Sequence, residues 1–197
     1  MEMSSAYFAG LFAFLAVGLA PVPSSGAGGA ALLRSVTVST TTHVNWTSSK
    51  QFDVVTAAIE KQLGKFDAAA FGSAMMNVSN PAEVEAKIHA MEGSSGFMLF
   101  AMRDHGQLLG LKGRKAFDRQ YEIGNPLIAV EMTQADLRAG EYAPLRICVY
   151  VGEDQLTHVD YDLPSAVFGR FKSAKVDKVA SDLDHKLEAL ITNALKD

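Results

Sequence analysis

Four side chains in this sequence have the chemistry to hold a small anion or to move a proton: His105, Asn125, Arg146 and Tyr161. Histidine titrates near neutral pH. Arginine presents a fixed fork of five donors that matches a carboxylate or phosphate. Asparagine and tyrosine offer both donor and acceptor. One use of the set is acid–base catalysis, with His105 as general base, Arg146 as anion clamp and Tyr161 as proton donor. That use requires the groups to converge within about 3 Å of shared atoms or one water. The other use needs no such convergence: the same groups would be the polar points of a binding pocket.

Each residue also has a purely structural role to weigh. Asp104 and His105 are neighbours at the end of an apolar run, and neighbours on a strand point to opposite faces. They act as a pair only if the chain turns there. Asp104 is better read as the cap of the following segment. Gly124-Asn125-Pro126 resembles a phosphate cradle, but such loops need consecutive free N–H groups and proline removes one. A strand-ending turn, with Pro126 starting the next segment, is the stronger reading. In "PLRICVYV" the alternation puts Arg146, Cys148 and Tyr150 on one face and Leu145, Ile147, Val149 and Val151 on the other. A buried Arg146 must find acceptors. Pairing with an internal carboxylate such as Asp104, Asp160 or Asp162 is favoured over holding a ligand. Tyr161 shares parity with Thr157 and Val159; if it stood beside Arg146, the pair would form a mixed aromatic and cationic pocket.

Cys148, the single cysteine, sits in that apolar strand, so a buried thiol is expected rather than a nucleophile. His43, His89, His105, His158 and His185 are dispersed, without HxH or HExxH spacing, so no metal site is assigned. The eight methionines read as core filler. No cofactor is named by any motif. Asn45-Trp46-Thr47 and Asn77-Val78-Ser79 fit glycosylation sequons, which count only in a eukaryotic secretory pathway.

The elements that would position these groups follow from periodicity. "RSVTVSTTTHVNW" is a Val/Thr-rich strand. Ser48-x-x-Gln51 has the form of a capping box, and Phe52, Val55, Ile59 and Leu63 follow at helical spacing. Asn80-Pro81 opens a second helix that Gly93 closes. "GFMLFAM", apolar at both parities, predicts a buried strand. Gly106, Gly110 and Gly113 weaken any helix after His105. "RQYEIG" is a strand, the segment from Asn125 a short helix and loop, and "PLRICVYV" with "QLTHVDYD" an antiparallel hairpin. Pro164 opens helical territory. Val176, Val179, Leu183, Leu187, Leu190 and Ala194 mark the apolar face of a long last helix. Helices flanking a block of strands predict an α+β domain: a single antiparallel sheet with helices on one face, the other face free for a partner, a ligand or water.

Bulk properties agree with one globular domain. The chain has 197 residues, a net charge of -4 and 48% hydrophobic residues. The scattered basic residues give no nucleic-acid footprint. Residues 1–30 are set apart. Residues 6–20 carry no charge and are shorter than the ~20 apolar residues a spanning helix needs, which suits a signal peptide. "PVPSSGAGGAA" behind them offers cleavage triplets, although "MEMSS" ahead carries Glu2 and no Lys or Arg. A periplasmic or secreted protein is expected, with residues 31–197 as the domain. The alternative is an uncleaved leader that anchors it to a membrane.

"FMLFAMRDH", "YEIGNP", "APLRICVYV" and "THVDYDLPS" occur in that order. Together they resemble the domain-of-unknown-function 302 family. The resemblance rests on Asp104 and His105; Gly124, Asn125 and Pro126; Pro144, Leu145 and Arg146; and Tyr161 with Pro164. It runs over residues 43–195. It implies a TATA-binding-protein-like fold in strand–helix–four-strand–helix order, and a homodimer. The family carries no assigned activity. Three functions then compete: a homodimeric, extracytoplasmic small-ligand-binding module without catalysis; a small enzyme using His105, Arg146 and Tyr161; and a haem or metal carrier through an exposed histidine. The first is expected, with a second copy of the chain and a small molecule as partners.

Overall fold

The computed structural model describes residues 32–76 and 78–196. The expected leader over 1–30, its cleavage triplets and the sequon residue Asn77 lie outside them. Residues 39–197 form one compact unit. In the segment ahead of it, residues 32–38 carry no helix or strand and are exposed.

Among the described residues the strands are β1 (His43–Ser48), β2 (Gly64–Lys65), β3 (Met98–Asp104), β4 (Asp118–Gly124), β5 (Leu145–Val151) and β6 (Thr157–Asp162). They form one sheet in the order β1-β6-β5-β4-β3-β2. Neighbours run antiparallel except β2 and β3, which are parallel. The α+β class holds, but the sheet is mixed. The parallel pair is only two residues long on β2, too short to leave a periodic trace in sequence. The first strand also starts later than expected, at His43, because its partner β6 ends at Asp162, opposite it.

Among the described residues the α-helices are α1 (Phe52–Gln62), α2 (Ala68–Met75), α3 (Pro81–His89), α4 (His105–Leu109), α5 (Pro126–Thr133), α6 (Pro164–Phe168) and α7 (Ala174–Leu195). The 22-residue α7 buries Val176, Ala180, Leu183, Leu187, Leu190, Ile191 and Ala194. That stripe meets Phe52, Val55 and Ile59 of α1 and the inward residues Tyr121, Ile123, Ile147, Val149, Val159 and Tyr161 of the sheet. Each large apolar side chain so buried is worth about 1.5–3 kcal/mol.

Phe97, just ahead of β3, and Leu99 on it join this core, while Met98 joins a second cluster with Ala74, Val84 and Ile88 from α2 and α3, packed against by Phe100. The double-sided apolarity of "GFMLFAM" is thus used at its start. Farther along, Met102 and Arg103 are exposed. The layer of α1, α5, α6 and α7 therefore covers one face of the sheet, but α2 and α3 pack on Met98 from the other face at the β2–β3 edge, so the expected helix cover of one face alone holds only away from that edge. Arg103, Gln120, Glu122, Arg146, Cys148, Tyr150, His158 and Asp160 alternate with the core residues, on the opposite face.

The expected capping box is not made. Gln51 is the N-cap of α1 without a side-chain bond, and Ser48, still in β1, accepts from the Lys50 N–H at 3.1 Å. α4 exists despite its glycine, but lasts five residues. Gly106 is buried there, where a Cβ would collide with the Ala116 carbonyl oxygen, so the glycine permits the close approach.

Candidate functional site

The end of β4 and the start of β5 lie side by side: Ile123 pairs with Leu145 and Glu122 with Arg146. The two sequence motifs, Gly124-Asn125-Pro126 and Pro144-Leu145-Arg146, therefore meet at one end of the sheet. Two cavities open around them, and Pro144 and Leu145 wall both. The Ala143–Pro144 peptide is cis.

The first cavity, about 230 Å³, lies between this strand end and the helices α5, α6 and α7. Phe100, Ile128, Met132, Phe168 and Leu183 contribute its hydrocarbon wall. Asn125 is the polar side chain on it, and three of the four hydrogen-bonding positions of its amide are engaged. The Asn125 oxygen accepts from the Leu127 N–H at 2.9 Å, capping α5, while its Nδ2 donates to Glu92 Oε1 at 2.7 Å and to the Gly96 carbonyl at 3.0 Å. Asn125 thus shapes the wall and has no donor left for a guest, only the second lone pair of its oxygen.

The second cavity, also about 230 Å³, is polar. Arg146, Arg170, Asp162, Tyr142 and residues 39–41 line it, with Pro164. Arg146 is exposed and makes no ion pair among the described residues. This corrects the expected internal pairing. Asp104 is bound to Arg119 at 3.4 Å, and Asp160 and Asp162 both face His43. Glu122, opposite Arg146 in the register, takes Arg103 at 2.7 Å. Arg170 donates to the Tyr142 hydroxyl and lies 5.2 Å from that ring.

His105 and Tyr161 are not brought to this place. Asp104 pairs with Arg119, which pairs with Val149, so His105 sits at the opposite end of the sheet from Arg146. Asp104 caps α4, accepting from the Gln107 N–H at 2.7 Å. Tyr161 is buried on the helix-covered face, its hydroxyl accepting from Trp46 Nε1 at 3.4 Å. The hairpin register sets Cys148 opposite Asp160, so Arg146 shares a face with Asp160 rather than with Tyr161. His105, Arg146 and Tyr161 therefore do not converge. Cys148 lies half-buried with Asp118 at 3.3 Å; burial first, then that carboxylate, push its thiol up to about 12, the wrong direction for a nucleophile.

Two networks went unread in the sequence. On the open face, Asn45 Nδ2 donates to His158 Nδ1 at 3.3 Å, which assigns the His158 proton to Nε2, 3.0 Å from Asp154. His158 stacks on Tyr150, with ring centroids 5.0 Å apart. At the far end, buried Tyr121 donates to Glu60 at 2.7 Å, and Arg119 lies over the Phe52 ring at 5.2 Å. Burial, then Glu60, raise the Tyr121 phenol far above its usual range. Strand parity groups the open-face residues, but only the register between distant strands makes them neighbours. Among the described residues no three of His, Cys, Asp and Glu are arranged to hold a metal ion, and no helix is long and apolar enough to cross a membrane.

Comparison with known proteins decides the family. The profile of the domain of unknown function DUF302 matches residues 74–194. The chain belongs to the DUF302 family. The match runs from the last two residues of α2 to the penultimate residue of α7 and holds both motifs that wall the cavities. No curated protein matches this DUF302 chain. Among solved structures, it is similar to the crystal structure of an uncharacterized conserved DUF302 protein from Bacillus stearothermophilus. The TM-score is 0.55 and the identity 17%, over 77% of this chain and 97% of that one. At that identity the likeness is one of fold.

Proposed function

We propose that this DUF302 protein is a non-catalytic binding module that acts outside the cytoplasm as a homodimer. Its ligand is a small molecule held between α5 and the adjoining ends of β4 and β5. The observation that carries the reading is the apolar cavity of about 230 Å³ that both family motifs wall. A concave hydrocarbon site with a few polar groups at its margin is the ordinary form of a small-molecule site. The divergence of His105, Arg146 and Tyr161 supports binding over acid–base chemistry. Export is supported by the apolar run at 6–20, and self-association by the open sheet face and by the exposed Leu108, Leu111 and Phe117.

Native mass spectrometry of protein purified without denaturation tests this reading. A two-chain species with a small-molecule adduct is expected, the adduct being lost in Ala129→Phe, which fills the cavity. A single chain without adduct, identical in the two proteins, would overturn it.

A further inference from the structure

We infer that the guest of this site is an amphipathic monoanion: a carboxylate on an apolar body of about six to eight carbons. The inference rests on the binding-module reading and specifies its ligand. The size follows from the apolar cavity: a hydrocarbon-lined cavity of about 150 Å³ holds benzene, and this one is about 230 Å³. Asn125, the polar side chain on its wall, offers a guest no free donor, because both its N–H bonds are spent on Glu92 and Gly96 while its oxygen already accepts from Leu127. The buried part of the ligand is therefore hydrocarbon.

The head group follows from the adjoining cavity. Arg146 and Arg170 both line it. The carboxylates that could neutralise Arg146 are committed elsewhere: Glu122 to Arg103 at 2.7 Å and Asp162 to His43 at 3.1 Å. Arg170 is spent on the Tyr142 hydroxyl and the rings of Tyr142 and Phe171, contacts that leave its charge uncompensated. A guanidinium fork in that condition accepts a carboxylate through two parallel N–H donors. Asp162 on the same wall disfavours a second negative charge. Since Pro144 and Leu145 wall both cavities, a molecule draped over them has its tail in one and its head in the other.

Titration calorimetry on the full chain at low salt tests the class, with octanoate, 1-octanol, octylammonium and acetate as probes. Octanoate should bind about tenfold or more tighter than 1-octanol. Octylammonium should bind more weakly than the alcohol, and acetate not measurably. Arg146→Gln should bring octanoate down to the level of 1-octanol and leave the alcohol unchanged; Arg170→Gln should act in the same direction. Ala129→Phe should weaken both. Equal binding of octanoate and 1-octanol by the unaltered protein, or octanoate binding indifferent to both arginine substitutions, overturns the anionic class while a binding module stands. Binding of neither probe also overturns the class; the adduct measurement then judges the module by itself.

Discussion

Both ring nitrogens of His43 face carboxylates, Nδ1 at 3.1 Å from Asp162 and Nε2 at 3.2 Å from Asp160. Donating at both positions requires the imidazolium, and the two bonds, Asp162 first, raise its pKa above the ordinary value. The sign of the resulting pH dependence follows. A folded-state pKa above the unfolded one gives stabilisation that is complete below about pH 6.5 and is lost as pH rises through the folded value. His43→Ala should therefore lower the melting temperature at pH 5.5 and converge on the unaltered protein by pH 9. Thermal melts across that range check it, and a gap of constant size would refute it. Nothing in the sequence marks His43 for this role, because its partners lie 117 and 119 residues away. Asp104 was legible: a short acceptor at a strand end, before a helical turn, is what a cap looks like.

Element starts were the most legible feature, for a local reason. Asn80-Pro81, Asn125-Pro126 and Leu163-Pro164 each precede a helix, and α3, α5 and α6 begin at those prolines, where the missing N–H costs nothing. α2 was not legible: its run of Ala and Met fits several states, and the Asp67 carboxylate that caps it, at 3.0 Å from the Ala69 N–H and 2.9 Å from that of Ala70, is a lone acid in sequence. The contact between the start of β2 and the loop after α3 was equally hidden. Gly64 and Gly93 pass so closely that a Cβ on Gly93 would collide with the Gln62 carbonyl and the Gly64 nitrogen. Gly93→Ala should destabilise the protein by about 2–4 kcal/mol, since rigid backbone has to move. Gly72→Ala, mid-helix in α2 with open space around it, should be neutral or stabilising by up to about 1 kcal/mol. Denaturant titrations of the pair check this, and equal effects would refute the close approach. The candidate site depends on the same kind of nonlocal fact. Its motifs stood out in the chain, but their meeting across β4 and β5, and the release of Arg146 from every internal carboxylate, required the register.

At the scale of the whole unit, sheet order and the helical layer of α1 and α7 set a gradient of stability. β4 and β5 each have strands on both sides, and their inward residues Tyr121, Ile123, Ile147 and Val149 are fully buried beneath α1 and α7. Among the described residues β1 is an edge strand paired with β6, and β2 is two residues long. Amides that are released only when the core opens exchange with the global unfolding free energy, typically about 5–15 kcal/mol, whereas edge amides exchange through local fraying. Hydrogen exchange in dilute protein should therefore find Tyr121, Ile123, Ile147 and Val149 the slowest. The β1 amides should exchange at least about a hundredfold faster, each tenfold standing for 1.4 kcal/mol of opening free energy. The family match begins at residue 74, so β1 and α1 lie outside it, yet their fates should differ. α1 buries Val55 and Ile59 completely and should exchange with the core; β1 hangs on β6 and the His43–Asp160–Asp162 cluster and should not. Protection of β1 equal to that of β5 at low concentration would mean that its edge is covered, and the edge would then have to be counted as part of the interior.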